Sequence, residues 1–171
     1  VKVRHICIIG FLITCVYGCL PEGTRGDFFK SGIKTETDDF DNSASKSITL
    51  AMHDINLMME RSIKISKMNT NEGTRYVMKS YIYAAEWFFT KEIKFNIDGK
   101  FFDFISVGDR QKVMPYGYIQ ELSVFQINRS FLAELKNAAS IKIRFYGKDS
   151  YMDATITPED MQLLKSFLSD L

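Results

Sequence analysis

Apolar and polar positions alternate through much of the chain, and the alternation predicts strands. Ile63 and Ile65 alternate with Lys64 and Ser66, and Asn69 to Gly73 then turns the chain. Thr74–Tyr83 is β-branched and aromatic. Glu86–Ile97 reads as a further strand, with Ile93, Phe95 and Ile97 on one side and Lys94 and Asn96 on the other. Asp98-Gly99 is a type I′ hairpin signal, because both central positions of that turn want a positive φ. Lys100–Ile105 returns as the partner strand. Residues 107–118 read as a polar loop. Glu121–Ile127 alternates again, with Leu122, Val124 and Ile127 set against Phe125. Ile141–Phe145 and Tyr151–Ile156 complete the strands, joined by a turn over Gly147–Ser150.

Two segments change period. Asn128 can cap a short helix whose apolar stripe is Phe131, Leu132, Leu135 and Ala138. Thr157-Pro158-Glu159-Asp160 opens a second helix, with Thr at the cap, Pro at the first turn and acids where the dipole favours them. Its apolar face is Met161, Leu164, Phe167, Leu168 and Leu171. Residues 48–60 fit both periods, and the spacing of Ile48, Ala51, Met52, Ile55, Met58 and Met59 predicts a helix. Consecutive strands joined by short turns favour antiparallel pairing. The expected fold is mainly β: an antiparallel β-sandwich or strongly curved sheet with one short helix and a C-terminal helix.

The N-terminus carries a different pattern. Lys2 and Arg4 precede an uncharged run from Ile6 to Pro21, 16 residues long. A membrane-spanning helix needs about 20 apolar residues, so a secretory signal peptide fits better. Val16-Tyr17-Gly18-Cys19 resembles the lipobox of bacterial lipoproteins, with Val16 and Gly18 matching and Tyr17 departing from the usual small or β-branched residue. That resemblance implies cleavage between Gly18 and Cys19 and acyl chains on Cys19 that hold the protein to a membrane. Each buried CH₂ of such chains adds about 0.8 kcal/mol. Ordinary signal-peptidase cleavage at the same bond would give a secreted soluble protein, and an uncleaved anchor is a third reading. The expected organisation is a signal peptide over 1–18, a flexible tether over 19–47 and one β-rich domain over 48–171.

Composition narrows the function classes. All three cysteines, Cys7, Cys15 and Cys19, lie in the first 19 of 171 residues, which excludes a disulfide scaffold or Cys-based zinc site in the domain. The net charge of +1 argues against nucleic acid as a partner. Loss of residues 1–18 lowers the basic count from 22 to 20 against 21 acids and turns that charge to −1.

From Thr74 onward the order of features resembles a recurrent type of bacterial exported β domain. Tyr76 and Tyr81 lie in the first strand, then come Trp87 with Phe88 and Phe89, and the turn Asp98-Gly99-Lys100. The helix Phe131 to Ala138, the strand end Arg144 to Gly147 and the helix Thr157 to Leu171 follow. The resemblance spans 98 residues and implies a fold but no activity.

Little catalytic chemistry is legible. His53-Asp54 is an adjacent pair whose side chains diverge on a helix or a strand, and it reads as a polar pair rather than a base and its carboxylate. No metal-ligand spacing, P-loop or dinucleotide fingerprint is present, so neither metal nor cofactor is expected. The aromatic cluster gives a candidate binding patch of Tyr81, Tyr83, Trp87, Phe89 and Phe102, with a hairpin covered on both faces as the alternative. The expected protein is a membrane-anchored lipoprotein of the cell envelope, periplasmic or surface-exposed. Its domain is expected to be non-catalytic, binding an envelope protein or ligand or serving structurally. A carboxylate-based hydrolase or small-ligand binder drawing on Asp54, Asp98, Asp103 or Asp109 is the alternative.

Overall fold

The computed structural model describes residues 29–38, 43–53, 59–70, 73–114 and 117–169. The strands run β1 (Gly32–Asp38), β2 (Ser43–His53), β3 (Met59–Thr70), β4 (Gly73–Ala84), β5 (Glu92–Ile97), β6 (Lys100–Ile105), β7 (Gly108–Val113) and β8 (Ile119–Gln126). Helix α1 (Arg129–Asn137), β9 (Ile141–Tyr146), β10 (Tyr151–Thr155) and α2 (Pro158–Leu168) complete the chain. A six-stranded sheet has the order β1-β2-β3-β4-β8-β7, and a four-stranded sheet has the order β10-β9-β5-β6. Every pairing is antiparallel. The chain therefore leaves the first sheet after β4, builds the β5–β6 hairpin, and returns to place β8 beside β4.

The fold is mainly β and sandwich-like, with the core between the sheets. Ile48, Leu50, Ile63, Ile65, Met78 and Phe125 from the first sheet share one buried cluster with Ile93, Phe95, Ile97, Ile141, Ile143 and Phe145 from the second. The alternation read from the sequence for β5 and β9 is the alternation of burial. Both helices start at the expected caps. The Asn128 Oδ1 accepts the Phe131 N–H at 2.9 Å, and the Thr157 Oγ1 accepts the Asp160 N–H at 3.1 Å. Phe131 closes one end of the core, with its ring centroid 5.0 Å from Phe95 and 4.6 Å from Phe104. Helix α2 packs on α1, β2 and β1 through Met161, Leu164, Phe167 and Leu168. The hairpin turn is left-handed at both positions, with φ of 50° at Asp98 and 90° at Gly99. The Asp98 carboxylate also accepts the N–H groups of Ala139 and Ser140 at 2.9 and 2.7 Å, tying the hairpin to the link between α1 and β9.

Several expectations need correction. Of the helix expected over 48–60, residues 48–53 and 59–60 are instead the ends of two strands, β2 and β3, and 54–58 lie outside the described residues. The alternation of Ile48, Leu50 and Met52 prevails over the helical spacing because β3 sets Ile65, Ile63 and Arg61 opposite them. The tether expected over 19–47 is strand from 32 to 38 and again from 43. β1 is an edge strand with largely exposed side chains, held by main-chain pairing to β2, so it leaves no apolar signature. Phe29, also within the expected tether, is buried with its ring 6.2 Å from that of Tyr83. The polar loop expected over 107–118 contains β7, exposed at every position and paired to β8. Residues 86–91, expected to begin a strand, belong to the crossing between the sheets.

The inward face of β8 carries Glu121, Ser123 and Phe125, not Leu122 and Val124. Glu121 is only 4% exposed. Its Oε1 accepts the N–H groups of Phe88 and Phe89 at 2.7 and 2.9 Å, and its Oε2 accepts that of Thr90 at 3.3 Å. Successive N–H groups converge on one anion because Phe89 adopts a φ of 56°. From the turn between β9 and β10, the Lys148 N–H donates to the Phe88 carbonyl at 3.0 Å. Gly147 lies so close that a Cβ there would run into that carbonyl and come within 2.8 Å of the Phe88 ring. The crossing is thus clamped from both sheets. Glu121→Ala strands the three N–H groups and should cost about 3 kcal/mol or more, whereas Glu121→Gln retains an acceptor and should cost about half as much. Urea unfolding with an unchanged m-value checks both; a loss under ~0.5 kcal/mol for the alanine variant would remove the clamp from the account.

Candidate functional site

The outer face of the four-stranded sheet presents three rows of side chains, because strand alternation turns every second residue away from the core. The middle row is Asp103–Lys94–Arg144–Asp153. Lys94 Nζ lies 3.3 Å from Asp103. Arg144 meets Asp153 with two parallel bonds, 2.6 Å from Nε and 2.7 Å from Nη2. One flanking row is Phe101–Asn96–Lys142–Thr155 and the other is Ile105–Glu92–Tyr146–Tyr151. The Arg144 guanidinium stands 4.2 Å from the Tyr151 ring centroid, and Lys94 lies 5.7 Å from that of Tyr146. A shallow groove of about 390 Å³ runs along Lys94, Asn96, Phe101, Lys142 and Tyr146.

These pairings set the protonation of the face. The hydrogen bond from Arg144 holds the Asp153 carboxyl below the usual carboxylate range, against a smaller desolvation effect. The Asp103 carboxylate holds the Lys94 ammonium above its usual value by accepting its hydrogen bond. Both cations stay charged at neutral pH, and each holds an acid.

The β6 border of this face is an open strand edge among the described residues. In the β5–β6 hairpin the two-residue turn makes Ile97 and Lys100 a hydrogen-bonded pair, and Ser106 N–H to Lys91 O at 2.9 Å continues the same register. The N–H and C=O groups of Phe101, Asp103 and Ile105 therefore point outward, where β6 has no neighbouring strand among the described residues. Their side chains share the outer face. Phe101 is 65% exposed and Ile105 75%. The other three edges each carry one exposed apolar residue, Ile33, Val113 or Tyr151, beside a charged or bonded feature. β1 carries the Lys34–Glu36 ion pair, and β7 carries Asp109, Arg110 and Lys112. On β10 the Asp153 carbonyl accepts from the Arg61 guanidinium at 3.2 Å.

The residues picked out by sequence fall in separate places. Trp87 and Phe89 stack at 5.5 Å in the crossing, 42% and 36% exposed. Tyr83 stacks on Tyr118 at 4.9 Å on the first sheet. Tyr81 is buried, which raises its hydroxyl pKa. Phe102 turns inward, its ring 5.5 Å from that of Phe131. The structure thus stacks Trp87 on Phe89, while Tyr83 stacks on Tyr118 and Phe102 packs on Phe131. Gly18, Cys19 and Asp54 lie outside the described residues, and His53 ends β2. Asp98 and Asp103 have the partners described above, and Asp109 accepts from the Ser106 hydroxyl. Sequence reasoning passed over Phe101 and Ile105, although the pair Phe101-Phe102 had to turn one ring outward.

A second concavity, of about 960 Å³, lies between β10, α2 and the first sheet, lined by Phe29, Met52, Arg61, Asp153, Glu159 and Asp160. Asp160 accepts from the Thr157 hydroxyl at 3.0 Å as part of the helix cap. Among the described residues no group of three or more His, Cys, Asp or Glu could hold a metal ion, and no helix is long and apolar enough to cross a membrane.

The Arg144–Asp153 pair has a pH signature. Because the Asp153 pKa is lowered on folding, its contribution to stability is present above the ordinary carboxyl pKa, about 4, and is lost as pH falls through the lower native value. Between pH 5 and 2 the urea midpoint of the native protein should fall more steeply than that of Asp153→Asn; parallel slopes would show that the pair carries no linkage.

Neither a protein-family model, nor a curated protein, nor a solved structure matches this chain.

Proposed function

We propose that this chain is an exported, lipid-anchored binding protein of the cell envelope. Its domain is non-catalytic and recognises its partner through the β6 side of the second sheet. The observation that carries the binding role is the exposure of Phe101 and Ile105 on a strand edge with no neighbour among the described residues. Large apolar side chains at such an edge are an aggregation liability unless something covers them. The anchoring role rests on the basic start, the apolar run and Val16-Tyr17-Gly18-Cys19. The carboxylate-based alternative is weaker, because Asp98, Asp103 and Asp109 each serve a local structural contact.

Site-specific photocrosslinking tests the binding role. A photoreactive residue at position 105 or 101, irradiated in envelopes of producing cells, should give a discrete heavier adduct; the same residue at Lys165, exposed on α2, should not. Matching patterns from all three positions, or no adduct from any, would remove the binding role. Anchoring is read by fractionation and mass: Cys19→Ala should leave the membrane fraction and lose the acyl mass.

A further inference from the structure

The geometry points to how the partner is held: we infer that β6 accepts an extended segment of a partner polypeptide as a fifth strand of the second sheet, and that this segment alternates apolar, basic and apolar residues. The inference rests on the binding role proposed above and gives it a chemistry.

Three observations define the occupant. First, β6 offers the outward N–H and C=O groups of Phe101, Asp103 and Ile105, spaced every second residue, which is the template for strand addition. Second, these residues present an apolar, an acidic and an apolar side chain on one face. In an antiparallel pair the residue opposite each points to the same face and exchanges both main-chain bonds with it, so an added antiparallel strand places its own alternate side chains against Phe101, Asp103 and Ile105. Asp103 retains a half-exposed carboxylate beside Lys94, and a Lys or Arg opposite it gives that carboxylate a second cation on its open side. Third, the inward-turned Phe102 and Phe104 are only partly buried at this border of the core. The added strand's other face would cover them.

Charge argues against a second copy of this chain as the occupant. Antiparallel pairing of β6 with itself about Asp103 sets two carboxylates opposite each other. The registers about Phe102 or Phe104 set that carboxylate against Phe101 or Ile105. A strand from a different polypeptide avoids both.

The test uses the full chain and a blocked peptide, Ser-Val-Thr-Lys-Thr-Val-Ser. Amide hydrogen exchange at Phe101, Asp103 and Ile105 should slow at least tenfold at millimolar peptide, while amides of β7, an edge of the other sheet, stay unchanged. The same peptide N-methylated at its Val and Lys residues should give no slowing, since it cannot donate to the edge. A peptide with Glu in place of Lys should bind the native protein more weakly and Asp103→Lys more tightly. Absence of slowing at these three amides, equal effects of the N-methylated peptide, or indifference to the Lys-to-Glu change overturns strand addition. If the position-105 adduct survives such a result, only the mode falls; if both experiments fail, the binding role falls with it.

Discussion

The Glu121 carboxylate is the contact on which the two-sheet arrangement turns. A carboxylate taken out of water is costly unless its lone pairs are filled, and here the N–H groups of Phe88, Phe89 and Thr90 fill them. Those residues lie in the crossing from β4 to β5, so a charge on the first sheet fixes where the chain enters the second. Ser123, next on the same face, donates to the Thr90 carbonyl at 3.3 Å and extends the contact. The bare Cα of Gly147 lets the end of β9 approach Phe88 from the other side. With the crossing held, β5 enters beside β9 and the core residues of the two sheets meet.

Much of this architecture is legible in the sequence where local chemistry decides. The Asp98-Gly99 turn, the Asn128 and Thr157 caps, and the alternation of β5 and β9 all follow from residues within a few positions of one another. The failures share a cause. β1 and β7 are strands because a neighbour supplies main-chain partners, and their exposed side chains carry no apolar period. Residues 48–53 fit two periods until β3 is placed opposite them. Glu121 looks like a solvent-facing residue of an alternating strand, yet its acceptors' partners lie more than 30 positions away. The site follows the same rule. Aromatic density pointed to the right region of chain, but which ring of Phe101-Phe102 faces out depends on where Phe131 sits. An open edge is a property of strand order, which no single strand records.

The ion pairs on the outer face contribute little to stability, because exposed charges are well solvated and screened. Their effect is on selectivity. Asp103, Lys94, Arg144 and Asp153 read acid, base, base, acid along one row, so an arriving group meets a defined charge at each strand. The aromatic rings beside them add polarisable surface without breaking that sequence of signs.

The strand order also gives the molecule a direction. Phe29, the first described residue, lines the cleft beside β10, and β10 and β6 are the opposite borders of one four-stranded sheet. Three strand spacings, about 14 Å, separate the two borders. The exposed side chains of Phe101 and Ile105 therefore stand on the border of that sheet opposite the one where the described chain begins, so the cleft that Phe29 lines and the open β6 edge are separate surfaces.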